Sequence, residues 1–305
     1  MNLKIILAVL SALFIISTLA LYWLVAPIGN PVEFFSKPGN SNFSIGIYSN
    51  DMQFYPNLRY VDSKISYKVD SCSTERENEM INAFNEVSNV SVLEFYPVDS
   101  NEQIHVTCDE KTQSPKEEYF VAGEGGPTKI IAGDKFNVVF NGKILLFRDS
   151  QCETPNVAIH ELLHALGFKH SLNKGNIMFN ITSCKQTIGD DIPKFINELY
   201  SYPKYADLDF KEVNAEMKGR YLNTNFTIKN NGLKDSGDFK IKIYADDSLI
   251  KEMDSDFIKI GEGKIIVLSN ILIPRITINE LKFSIETNFE ELDRENNEKI
   301  LKIKN

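Results

Sequence analysis

The sequence predicts two folded parts behind an apolar N-terminal helix: a mixed α and β region over 58–204 and an all-β sandwich over 205–305. Three observations carry this. The chain has 305 residues, 43% hydrophobic and 25% charged, enough for two ordinary cores. Helical and strand spacing are interleaved up to about residue 204, and beyond it only short alternating segments remain. The third is an unbroken apolar run from Ile5 to Ala26.

That run contains no charged residue, and roughly 20 apolar residues span a bilayer as a helix. Residues 1–27 therefore read as an uncleaved signal anchor, a transmembrane helix with Tyr22-Trp23 at the interface. Lys4 on the short side puts the N-terminus inside and the rest outside. The alternative is a cleaved signal, with the protein secreted free. Residues 28–57, rich in Asn, Ser, Gly and Pro, read as a stalk or lead-in. The net charge is −9 without a basic stripe, which argues against a nucleic-acid partner. Cys72, Cys108, Cys152 and Cys184 form an even set with no CxxC pair. Such a set fits an exported protein with disulfides, and three pairings are open to it.

Lys64–Val69 alternates as a strand does. Ser73–Asn89 places Met80, Ile81, Phe84 and Val87 on one helical face, with Ser73 or Thr74 as cap. Val90–Val98 and Gln103–Cys108 read as strands. Phe136–Phe147 reads as two short runs around Asn141-Gly142, a hairpin signal. Thr154 as N-cap and Pro155 at the first helical position open a helix that Gly167 ends. A further helix is expected over about 190–200, through Ile192, Phe195, Ile196 and Leu199. Strands are expected at Tyr221–Lys229, Phe239–Ala245, Lys264–Leu268 and Glu280–Glu286.

The segment His160-Glu161-Leu162-Leu163-His164-Ala165-Leu166-Gly167-Phe168-Lys169-His170 carries chemistry. His160 and His164 lie four apart, on one face of a helix, and two imidazoles there can bind one Zn²⁺. Gly167 allows a sharp turn that returns His170 as third ligand. Three histidines leave a fourth position for water, the pattern of a catalytic zinc. Glu161, beside the first ligand, can reach a zinc-bound water as general base without ligating the metal. Three of the chain's 4 histidines fall here; His105 lies in a strand-like segment and reads as structural.

This motif, with Met178 in Asn176-Ile177-Met178 as Met-turn residue, resembles the metzincin zinc peptidases. The chain looks most like a matrixin: Ser171 follows the third histidine, and Asn156-Val157-Ala158 leads into the motif. The resemblance implies an α+β zincin domain with a mixed twisted sheet, a helix packed behind it and the zinc helix below a cleft. It implies Glu161 as catalytic residue, His160, His164 and His170 as ligands of one zinc, and Met178 as an apolar floor beneath them. Substrate would lie extended beside an edge strand, with Phe136–Phe147 as candidate edge region and the residues after Met178 as pocket wall. Gly123–Pro127 is either part of the edge loop or a flexible loop. The layout implies Cys72–Cys108 and Cys152–Cys184 as disulfides. The sequence departs from matrixins at Leu163, where they usually have glycine. It also lacks a cysteine-switch segment, and Phe179-Asn180 leaves no tyrosine ligand after Met178. Calcium-binding acidic loops have no clear counterpart.

Residues 205–305 look similar to CARDB-type, immunoglobulin-like modules, with Asp and Asn over 291–297 leaving calcium open. The expectation is a membrane-anchored, extracytoplasmic zinc endopeptidase acting on protein or peptide substrates. The rival is a surface binding or adhesion protein that uses its β-domain and has an inactive peptidase fold.

Overall fold

The computed structural model describes residues 4, 10–18, 32–36, 52–109, 122–147, 152–274 and 277–303. Residues 10–18 are helical and exposed, and the rest of the 5–26 run lies outside the described residues apart from this stretch. Among the described residues no helix is long and apolar enough to cross a membrane. The first strand, β1 (Val32–Ser36), belongs to the C-terminal sheet treated below.

Two compact units form. One comprises residues 42–207 with 230–235, the other 1–41, 208–229 and 236–305. The first holds β2 (Leu58–Tyr60), β3 (Lys64–Asp70), α1 (Thr74–Val90), β4 (Glu94–Pro97), β5 (Ile104–Cys108), β6 (Gly123–Ile131), β7 (Asn137–Leu146), α2 (Asn156–Ala165) and α3 (Asp191–Tyr200). Its mixed sheet runs β4-β3-β5-β7-β6, parallel except for β6, which is antiparallel to β7. The long β7 takes two parallel partners in turn: β2 along Asn137–Val139, then β5 along Gly142–Leu146.

Two expectations are corrected here. Asn141-Gly142 is not a hairpin but the middle of β7. The glycine answers a packing need: a Cβ at Gly142 would stand 2.5 Å from the Tyr60 hydroxyl. That hydroxyl donates to the Ala165 carbonyl at 3.2 Å. Phe136–Phe147 is therefore interior, and the outer strand is β6, which starts at the Gly123–Pro127 stretch.

Helix α1 begins where Ser73 Oγ accepts from Arg76 N, with Glu75 and Glu77 in the first turn. Its buried Met80, Ala83, Phe84 and Val87 face the sheet, Phe84 stacking on Tyr67 of β3 and lying 4.8 Å from Phe95 of β4. It runs on to Val90, so the expected strand starts only at Glu94. Cys72–Cys108 ties the end of β3 to the end of β5. Helix α2 begins at Asn156, with Pro155 as the capping residue. The Thr154 hydroxyl donates to Asn156 Oδ1 at 2.6 Å. Helix α3 buries Ile192, Phe195, Ile196 and Leu199. Arg59, 3% exposed, donates to the Leu199 carbonyl at 2.6 Å and lies 4.1 Å over the Tyr200 ring. A guanidinium at a helix C-terminus answers carbonyls that have no partner within the helix.

Residues 230–235 complete this unit. Asn231 N donates to Asp207 O and Leu233 N to Tyr205 O, both at 2.8 Å. A Cβ on Gly232 would meet the Ala206 carbonyl carbon at 2.5 Å. The fully buried Asp207 carboxylate pairs with Lys135 at 3.1 Å.

The second unit holds β1 with β8 (Leu208–Lys218), β9 (Tyr221–Asn230), β10 (Phe239–Ala245), β11 (Ser248–Ser255), β12 (Gly263–Leu272), β13 (Glu280–Thr287) and β14 (Glu298–Ile303). Its strand order is β11-β10-β13-β14-β1-β8-β9-β12. β1 changes partner midway: Val32 and Glu33 pair with β8, Phe34–Ser36 with β14. The lead-in expected over 28–57 thus contains a strand of this sheet. Strands β8, β9, β10 and β13 alternate buried and open positions, as half-buried strands do. Phe210, Phe226 and Phe283, from both halves of the sheet, meet with centroids 5.4–6.3 Å apart, so the halves face each other across one core as a sandwich. Among the late acidic residues, Glu291 accepts from Leu208 N, Thr287 Oγ1 and Asn297 Nδ2 at 2.7–2.8 Å.

Candidate metal centre and active site

Helix α2 presents His160 and His164 from one face, both buried. It ends at Ala165, and Gly167 then takes φ 101°, in the left-handed region. A side chain there would also strike Leu58, whose Cδ2 lies 2.6 Å from the position of a Cβ. The reversal brings His170 back, and the candidate ligand atoms of His160, His164 and His170 lie within 4.8 Å of one another. Among the described residues this is the group of His, Cys, Asp and Glu side chains arranged to hold a metal.

The hydrogen bonds fix which nitrogen faces inward. His160 Nδ1 donates to the Ile177 carbonyl at 2.6 Å, and His164 Nδ1 to the Phe168 carbonyl at 2.7 Å. A carbonyl only accepts, so each Nδ1 carries the proton and each Nε2 offers a lone pair. His164 Nε2 and His170 Nε2 come to 3.1 Å, close to the separation of about 3.3 Å for two nitrogens on one tetrahedral zinc at 2.0–2.1 Å. Converging lone pairs repel unless a cation lies between them. The donor set therefore fits zinc: three convergent imidazole nitrogens, with His160 and His164 oriented from behind by backbone carbonyls. Burial disfavours the protonated form of the two on the helix, lowering His160 and pushing His164 down to about 4.

Glu161 is 6% exposed. Burial, with the Glu124 charge adding to it, pushes its carboxyl up to about 8. A divalent cation on the neighbouring histidines acts in the opposite direction and favours the ionised form. The side chain lies against β6. A Cβ at Gly123 would stand 2.6 Å from Glu161 Cγ, and one at Gly125 would stand 2.2 Å from the Glu161 carbonyl oxygen. The strand reaches the zinc helix because these two positions, on one face of β6, have no side chains.

Met178 is 1% exposed, and its backbone is held from both sides. Its N–H donates to Asn176 Oδ1 at 2.8 Å, and its carbonyl accepts from Ser171 N at 2.7 Å. The segment beyond it is fixed by the Asn156 side chain, from the lead-in to the motif, and by that of Gln186. Asn156 Nδ2 donates to the Ser183 carbonyl at 2.8 Å, and Gln186 Nε2 to the Ile181 carbonyl at 2.9 Å. The Cys152–Cys184 disulfide lies just outside this network. Glycines two apart in Gly123-Glu124-Gly125 were a usable signal of a strand needing close approach; the buried amides offered none. His105 sits away from the histidine cluster on β5, its Nδ1 2.7 Å from Glu102.

An α+β sheet over a helix that carries two histidines and a buried glutamate, with a third histidine returned to them by the turn at Gly167, defines a zinc metallopeptidase. The matrixin family model matches residues 57–201, and the chain carries a peptidase domain of this family there. No curated protein sequence matches the chain. Among the solved structures with partial likeness are two. The CARDB domain of a Pyrococcus furiosus protein, in complex with di-metal ions, is 15% identical with a TM-score of 0.28. That match covers 33% of this chain and 94% of the other. A hatching-enzyme zinc-protease of the medaka Oryzias latipes, high choriolytic enzyme 1, is 20% identical with a TM-score of 0.24. Here 35% of this chain and 44% of the other are covered.

Proposed function

We propose that the chain is an extracytoplasmic zinc-dependent endopeptidase, held at a membrane by the apolar run over 5–26. The observation that carries the catalytic reading is the convergence of His160, His164 and His170 with Glu161 buried beside them. Zinc held by the three imidazoles would polarise the scissile carbonyl and acidify the attacking water. Glu161 then takes the proton from that water and returns it to the leaving amine. A peptide extended along β6, the last strand on its side among the described residues, would bind by main-chain hydrogen bonds. Gly123 and Gly125 keep side chains out of the space between that strand and Glu161. The extracytoplasmic placement is supported by two disulfides, which persist in oxidising surroundings.

The test uses the full chain, wild type and Glu161→Ala, with a peptide blocked at both ends. Wild type should cut it internally, and the variant should lose cleavage while holding equal zinc. Equal cleavage by both proteins would remove Glu161 as the base. Trimming of an unblocked peptide from its ends, with the blocked one left intact, would make the enzyme an exopeptidase. A folded protein without zinc would shift the reading to a binding protein.

A further inference from the structure

We infer that Met52–Phe54 forms a clip that positions the metal ligands His164 and His170, so that the working metal site begins at Met52 and not at the first strand of the sheet. The inference rests on reading the three histidines as a metal site.

The orienting acceptor of His164 is the carbonyl of Phe168, the residue after Gly167. Glycine confers conformational freedom, yet a second-sphere acceptor must stay fixed to hold a ligand ring. The residues that fix it come from the far side of the sheet in sequence. Gln53 bridges Phe168 in antiparallel fashion. Phe54 N donates to Gly167 O at 2.9 Å, and Lys169 N donates to Met52 O at 2.8 Å. The peptide groups on both sides of Phe168 are thereby held, and Lys169 leads directly into His170.

The clip is itself anchored. Gln53 is 1% exposed, and its side-chain amide closes a ring with the Leu58 backbone. Its Nε2 donates to Leu58 O at 2.6 Å, and its Oε1 accepts from Leu58 N at 2.9 Å. The Leu58 side chain in turn packs against Gly167. Phe54 adds a direct contact: its ring stacks on the His164 imidazole at 5.8 Å and 25°. The ring is 42% exposed, so most of its contribution is to limit the imidazole and little is to fill a core.

The test measures zinc affinity of the full chain by competition with a chromophoric chelator, together with the visible spectrum after cobalt(II) replaces zinc. Phe54→Ala should weaken zinc binding about 10-fold and alter the cobalt spectrum. The unfolding temperature of its metal-free form should stay unchanged, because the ring is largely outside the core. Phe54→Tyr should restore wild-type affinity. Gln53→Ala should weaken binding at least as much; if it fails to fold, Phe54→Ala carries the test alone. A folded Phe54→Ala chain that binds zinc as tightly as wild type would overturn the clip while leaving the metal site standing. A folded wild-type chain that takes up no zinc would overturn the metal reading, and the clip with it.

Discussion

The helix and the strand beside the candidate metal centre are built by opposite means. On the helix side, α2 and its turn act through side chains: His160, Glu161, His164 and His170 converge because of their spacing and because Gly167 reverses the chain. On the strand side, β6 acts through the absence of side chains: Gly123 and Gly125 let its backbone touch Glu161. Chemistry needs particular functional groups, whereas binding an extended peptide needs free backbone and room. An element of the first kind is written as a motif, and one of the second kind as gaps in a strand.

The sharpest break in that comparison is at the helix. Glu161→Gln should lower kcat/KM for peptide hydrolysis by about a thousandfold with zinc content unchanged, measured by steady-state kinetics and metal analysis. A loss of zinc in parallel would make Glu161 part of the ligand field instead.

The same residue makes a prediction about pH for the metal-free protein. Its carboxyl is raised from 4.5 to about 8 by burial. Between those values the folded state keeps a proton that the unfolded state releases, so stability falls as pH rises through that window. Above about 8 both states are ionised and the loss is complete. Metal-free Glu161→Gln should therefore be more stable than metal-free wild type by about 3 kcal/mol near pH 7. The difference should vanish near pH 4. Denaturant unfolding at the two pH values checks the sign.

The strand is probed by paired substitutions. Gly125→Ala puts a Cβ 2.2 Å from the Glu161 carbonyl oxygen, while Gly126 has nothing within 4 Å. The first should destabilise the folded chain by about 2 kcal/mol and slow hydrolysis by moving β6 off the helix. Gly126→Ala should leave both nearly untouched. Equal effects at the two positions would mean that β6 does not depend on close approach.

What could be read in the sequence follows the same division. The histidines were legible because a helix converts spacing of four into a shared face. Buried Ile192, Phe195, Ile196 and Leu199 of α3 were legible for the same reason. The Cys72–Cys108 and Cys152–Cys184 pairs implied by the matrixin layout are the bonds formed in the structure. The outer strand was misplaced because the sequence does not carry strand order. Asn141-Gly142 has turn chemistry, yet Gly142 serves the Tyr60 hydroxyl in mid-strand. β1 was hidden for another reason: Phe34 pairs with Ile303, so no local pattern frames it. The same distance in sequence hid the link from Gln53 to Phe168. Asn156 and Gln186 look like ordinary polar residues, and only tertiary contact makes them braces of the segment after Met178.

The central claim is that His160, His164 and His170 together hold one zinc on which hydrolysis depends. Zinc should be titrated into the metal-free full chain while cleavage of a blocked peptide is followed. Activity should rise linearly to one equivalent and then level, and His164→Ala should abolish both uptake and cleavage. Undiminished cleavage by the metal-free chain, or by His164→Ala, would contradict it.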